Sequence, residues 1–486
     1  MLPLYYQEAP PSGSPMEKAI EAFTGLDVEF QFVPIDSYDE RLTLAITSNQ
    51  MPDVIAVLNP KLPVYINAVR GGMFWDIDGR FGQLPALKEH YDAQTLINAQ
   101  VDGKLYGLPR GRALTRDGIV IRKDWLKNVG INKDLTQPVT LDDVYTIVKA
   151  FALNDPDKNG RNDTTGLLLC VGQDGNIAGY VLNMLDVANG GGNGWEAAAD
   201  GNLVYTYTTP AHLASLNFLK KLYNEGIVNK DFATMRAAQF YEAIDKEQAG
   251  FYFQTVTDAH ERWDNVTKTI QARDPVLAKL TPPEAKYEFL DIITKIQDVN
   301  GKIRASTEPG FNGVLSFPKS SLKSEADLMK VLQFFDKLDT PDGQSVIEWG
   351  VKDRHYTLDS NGRADVVSNS LLLSAEVQPF WQMFCTNRVI DRASLKGNVA
   401  PMYTKVYTQM AALMPYAVYN PTIPLISDTY STIGANLDKI IFDAQAQYIM
   451  GVIDEAGWQA AVNRWKQSGG DKITAEYSAL YKQFKK

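Results

Sequence analysis

The feature that most limits the possible folds is the alternation of element types over the first 57 residues. Leu4-Tyr5-Tyr6 has the apolar run of a short strand, and Gln7 to Ser12, punctuated by Pro10 and Pro11, reads as a loop. Ser14-Pro15-Met16-Glu17 then opens a helix: Ser14 can cap it, Pro15 falls where a missing N–H costs nothing, and Glu17 completes a capping box. Val28-Glu29-Phe30-Gln31-Phe32 alternates apolar and polar residues, the pattern of a half-buried strand. A helix is predicted around Tyr38–Ser48 and another strand over Met51–Val57. Such strand–helix–strand order calls for an α/β fold, with a largely parallel sheet faced by helices.

The same reading extends down the chain. Leu105–Pro109, Gly118–Ile121, Gly250–Phe253 and Gly313–Phe317 read as strands. Thr140-Leu141-Asp142-Asp143 opens a helix with Val144, Ile147, Val148 and Phe151 on one face, and Ser324 caps another that bears Leu328, Val331, Leu332 and Phe335. From about Pro401 the pattern is mostly helical. At 486 residues the chain exceeds one ordinary domain. Its 48 Lys+Arg against 58 Asp+Glu, with no basic block, offer no surface for a phosphate backbone, so nucleic acid is not an expected partner. Cys170 and Cys385 are spaced as neither a redox pair nor a zinc site, which leaves a disulfide or two buried thiols.

One motif is sharp. Directly after the Thr140–Leu153 helix comes Asp155-Pro156-Asp157-Lys158-Asn159-Gly160-Arg161-Asn162-Asp163. Oxygen-bearing side chains stand at loop positions 1, 3, 5 and 9, with glycine at position 6, as in an EF-hand calcium loop. Alternate residues of a tight loop point inward, so Asp155, Asp157, Asn159 and Asp163 can surround one Ca²⁺, with the Arg161 carbonyl at position 7. Position 12 is Gly166 where a sensor hand carries a bidentate Glu, so water or Thr164 is expected to fill the gap. The ion would be structural. The competing reading is a solvated turn that ends a helix.

With that loop placed, further segments form a pattern. Ser48-Asn49-Gln50-Met51-Pro52-Asp53, Gly103-Lys104-Leu105-Tyr106-Gly107-Leu108-Pro109 and Arg122-Lys123-Asp124-Trp125-Leu126 occur in order, followed by Tyr223-Asn224-Glu225-Gly226-Ile227-Val228, Trp349-Gly350-Val351 with His355-Tyr356, and Gly469-Gly470-Asp471 through Glu476-Tyr477. Together they resemble the family 1 extracellular solute-binding proteins of bacterial ABC transporters, in the branch with LplA-like lipoproteins and calcium-containing alginate-binding proteins. Asn49 stands where that family usually has glycine.

The resemblance implies a two-lobed type II periplasmic-binding-protein fold, a hinge between the lobes and a helical C-terminal region. It implies an N-terminal lobe over 1–110 with 300–352, and a C-terminal lobe over 111–299 with 353–486. The expected ligand is an oligosaccharide held in the interlobe cleft, the expected protein partner a membrane ABC permease, and the expected state a monomer. Met1-Leu2-Pro3 runs into Leu4-Tyr5-Tyr6 with no secretion signal between. The resemblance implies an extracellular or periplasmic location, so the native gene is expected to encode a signal with a lipid-modified cysteine.

Sugars present apolar C–H faces and a rim of hydroxyls, so aromatic platforms and polar side chains on cleft-facing loops are the expected ligand residues. These are Gln7 and Glu8 after the first strand, Asn59, Arg110 at the first crossing, Phe253 and Trp263, Asn312, Trp381, and Tyr403 in the helical region. Core packing is the competing role for each aromatic. An enzyme reading, a glycosidase or polysaccharide lyase, finds no acid/base constellation, and His90, His212, His260 and His355 stand in no metal or nucleophile motif. A protein that presents sugar to a membrane sensor is the other alternative.

Overall fold

The cap signals read at Ser14, Thr140 and Ser324 are realised closely. The Ser14 hydroxyl accepts from the Glu17 N–H at 3.2 Å, while the Glu17 carboxylate accepts from Gly13 rather than from the cap residue. Complete capping boxes form at Thr140/Asp143 and Ser324/Asp327. They start helices Leu141–Leu153 and Glu325–Leu338, which bury the expected apolar faces. The computed structural model describes residues 1–6, 8–172, 174–177, 179–262, 289–366, 370–385, 392–399 and 401–485.

The chain divides into two units, Met1–Leu114 with Pro309–Val399 and Ile423–Ile426, and Thr115–Glu308 with Ala400–Thr422 and Ser427–Lys486. The expected boundaries differ mainly at 353–399, which belong to the first unit. The Gly111 N–H donates to the Cys385 carbonyl at 3.0 Å, and Arg110 binds Gln382, so this stretch is tied to the strand that leads out of that unit.

In the first unit, strands Leu2–Leu4 and Phe32–Pro34 pair in parallel. A three-stranded sheet places Phe311–Ser316 between Ile55–Val57 and Gly107–Gly111, antiparallel to both. The expected largely parallel sheet is therefore corrected: its central strand arrives from late in the chain and runs against its neighbours. Ile55, Ala56, Val57, Leu108 and Leu315 put this sheet in a core closed by Tyr38, Phe74 and Phe335. In the second unit, Asp117–Arg122 lies between Phe251–Thr255 and Leu290–Ile293, again antiparallel. A short strand Ala417–Val418, absent from the helical expectation, pairs in parallel with Ile303–Ser306. Helices Asp428–Ile449, Glu455–Trp465 and Asp471–Phe484 complete this unit. Inside it, fully buried His212 faces Asp186 at 2.9 Å through Nδ1 and Gln445 at 3.1 Å through Nε2. The two cysteines are free thiols, Cys170 in the second unit and Cys385 in the first.

Candidate functional site

The loop after helix Leu141–Leu153 turns tightly. Gly160 at φ 81° makes the turn, and Asp155 (φ 45°) and Lys158 (φ 55°) also lie in the left-handed region. The Asp155 carboxylate accepts from Asn159 N at 3.0 Å and Gly160 N at 2.9 Å. The Asn159 amide nitrogen donates to Asp157 at 2.7 Å and to Asp163 at 3.0 Å, and its Oδ1 accepts from Arg161 N at 2.8 Å. Burial, with Asp155 and Asp163 close by, pushes the Asp157 carboxyl up. Among the described residues no three Asp, Glu, His or Cys side chains stand as a group able to hold a metal ion. The donor chemistry nonetheless fits calcium, with three carboxylates, an amide whose oxygen a flip would turn inward, and a backbone carbonyl.

One sequence expectation for this loop looks different in three dimensions. Thr164 turns its hydroxyl away to the Phe151 carbonyl at 2.7 Å. Gly166 has no room for a twelfth-position ligand, since a Cβ there would lie 2.0 Å from the Val148 carbonyl oxygen. The chain here is threaded against other backbone: Thr165 N–H donates to Gln248, and the Gly166 and Leu167 N–H groups both donate to Ile227. Gly166→Ala is expected to lower stability by about 1–3 kcal/mol, read from the urea midpoint.

In the first unit, Arg110 is 1% exposed and fully engaged. Its Nε donates to the Gln382 carbonyl at 2.9 Å, Nη1 to the Asn312 carbonyl at 2.8 Å, and Nη2 to Gln382 Oε1. The strand register shifts between Phe311 and Val314, which brings the Asn312 carbonyl to the guanidinium. Arg110 is thus a brace within its unit, and the Asn312 side chain is exposed. Asn59 is exposed and accepts from Lys61 N at 2.9 Å, and Glu8 is exposed. Trp381 is half-buried against this core and donates to the Ile347 carbonyl at 3.0 Å. In the second unit, Phe253 is 2% exposed and packs edge-on to Phe251 inside the sheet, a core role. Tyr403 is half-buried beside Tyr407, ring centroids 4.6 Å apart. Gln7 and Trp263 lie outside the described residues.

Exposed tyrosines escaped the sequence reading. Tyr5, 46% exposed, follows the first strand. Tyr416 and Tyr419, 36% and 38% exposed, flank Ala417–Val418 in the second unit. That strand is held by Asn193, which donates to the Thr307 and Val418 carbonyls at 2.7 and 3.1 Å. The available signal was a tyrosine on each side of a two-residue β-prone run, easily lost in a helical region.

The family model for the bacterial extracellular solute-binding proteins matches residues 8–283. The chain belongs to that family. Lipoprotein LipO of Bacillus subtilis (strain 168) is 34% identical over 100% of this chain and 92% of its own length. YtcQ of the same organism, named as a polygalacturonan/rhamnogalacturonan-binding protein, is 32% identical over 99% of this chain and 91% of its own length. The fold is that of two-lobed solute-binding proteins. FusA of S. pneumoniae, solved with kestose, superposes with a TM-score of 0.69 at 17% identity, covering 100% of this chain and 99% of that one. An EF-hand mutant of FusA superposes with a TM-score of 0.68 at 16% identity, covering 99% and 98%. Members of this solute-binding protein family are binding proteins rather than enzymes. Among the described residues no helix is long and apolar enough to cross a membrane.

Proposed function

We propose that this chain is the substrate-binding component of an ABC importer and captures an acidic plant-wall oligosaccharide outside the cell. The observation that carries the ligand class is the end-to-end likeness to YtcQ, whose name records polygalacturonan and rhamnogalacturonan. Uronates combine a carboxylate with C–H faces. Tyr5, Tyr416 and Tyr419 are exposed aromatic side chains of the kind that stack on such faces. The Asp155–Asp163 loop is read as a structural Ca²⁺ site, with Asp155, Asp157, Asn159, the Arg161 carbonyl and Asp163 as its ligands. The LipO likeness supports a lipid-modified cysteine that holds the protein at the outer membrane face. A membrane permease is the expected partner and a monomer the expected state.

A melting panel tests the ligand class. Trigalacturonate and a rhamnogalacturonan oligomer should raise the melting temperature, with a stabilisation of about 2.7 kcal/mol at a hundredfold excess over Kd. Kestose should give a smaller shift. A larger shift with kestose than with either acidic oligomer would reverse the assignment of ligand charge.

A further inference from the structure

The chain leaves the second unit after Glu308 and enters it at Thr115, and a strand lies close to each of these points. Asp117–Arg122 begins just inside the entry, and Ile303–Ser306 ends just before the exit. Asp117 is 5% exposed. Its Oδ2 accepts from the Ser306 hydroxyl at 2.9 Å, which ties the two strand ends together. Among the described residues its Oδ1 is buried without a hydrogen-bond partner. The adjacent Arg116 directs Nη2 to Glu308 at 3.3 Å, and its Nε is also buried without a partner. The nearest cation is therefore spent on a second carboxylate.

Charged groups on the surrounding elements are already committed. Asp258 accepts from the Tyr252 hydroxyl at 2.7 Å and faces Arg262 at 3.7 Å. Asp291 pairs with Lys405, Asp186 with His212, and Arg304 donates to the Val187 carbonyl at 3.4 Å. The Tyr180 phenol stands near Asp117 and Glu308, its own ionisation held up by burial and by their charge. A buried carboxylate with one oxygen unbonded and a second carboxylate nearby is relieved by a proton on the unbonded oxygen.

We propose that Asp117 is a proton-operated lock on two strand ends of the second unit, each beside a segment through which the chain enters or leaves that unit. With the proton in place, the neutral carboxyl keeps its bond to Ser306 and the strand ends stay together. When the proton passes to solvent, a second negative charge stands beside Glu308 and the strand ends separate. Burial first, then Glu308, raises the Asp117 carboxyl to about 8, against the opposing effects of Ser306 and Arg116.

The sign follows from linkage. Between the ordinary carboxylate range and the raised value, the closed form holds a proton that the open form releases. Opening therefore becomes about tenfold more favourable per pH unit in that window and levels off above it. Hydroxide catalysis itself speeds exchange of an open amide about tenfold per pH unit, so amides freed by this opening should show a log-rate slope of about 2.

Hydrogen exchange between about pH 5.5 and 7.5 tests it on the intact protein, with no ligand needed. Amides in 115–119 and 303–308 should show the doubled slope, and those in helix Pro210–Asn224 a slope of about 1. Asp117→Asn should return the strand-end amides to about 1. Glu308→Gln, which removes the neighbouring charge, should end the steep limb at lower pH. A slope of about 1 in the wild type, or a doubled slope that persists in Asp117→Asn, overturns the lock. Should Asp117→Asn fail to fold, identical steep limbs in wild type and Glu308→Gln overturn it equally.

Discussion

Arg110→Met is expected to lower stability by about 3 kcal/mol. Three acceptors lose their donor at once: the Gln382 carbonyl, Gln382 Oε1 and the Asn312 carbonyl. Each hydrogen bond from a charged donor contributes about 1.5–3 kcal/mol, and the relief of no longer burying the guanidinium offsets part of the sum. Arg110→Lys should recover little, because one ammonium cannot match a planar fork that reaches acceptors on two segments. Urea unfolding of the ligand-free protein measures both variants. If Arg110→Lys unfolds at the wild-type midpoint but binds sugar more weakly, Arg110 is a ligand residue and its bracing role is wrong. That contrast separates the sequence expectation from the role seen in the first unit.

Calcium removal carries the second large effect. An ion that binds only the folded loop adds about 4 kcal/mol when free calcium stands a thousandfold above Kd. Chelation should remove that increment, and Asp157→Asn should abolish the response to both chelator and added calcium. Because burial, with Asp155 and Asp163 close by, pushes the Asp157 carboxyl up, the ion must displace a proton as pH falls. The calcium increment should therefore shrink as pH falls. A melting temperature unmoved by chelator at neutral pH would make the loop a solvated turn. The Asn159 amide, which bridges Asp157 and Asp163, is then sufficient to hold it.

The two predictions concern residues that differ in how far they could be read from sequence. The side-chain partners that shape the Asp155–Asp163 loop, from Asp155 accepting the Gly160 N–H to Asn159 donating to Asp163, stand within five residues of each other. Arg110 finds Gln382 across 272 residues of sequence, and no local pattern announces that meeting. Phe253 shows the same limit. Its segment reads as a strand with aromatic faces, but only the packing of that strand beside Asp117–Arg122 puts the ring in the core.

By itself the sequence determined the helix starts at Pro15, Leu141 and Glu325, the turn at Gly160, the calcium-type spacing and the family. Caps, periodicity and turn conformations act within one or two turns of chain, so the residues that cause them stand together in the sequence. Only the tertiary structure decided that Phe311–Ser316 enters a sheet between earlier strands, that Gly166 leaves no space for a ligand, and that Asp117 is buried with one oxygen unbonded. Strand neighbours, burial and the partner of a buried charge depend on which distant segments the core brings together. They become fixed only when the whole unit closes.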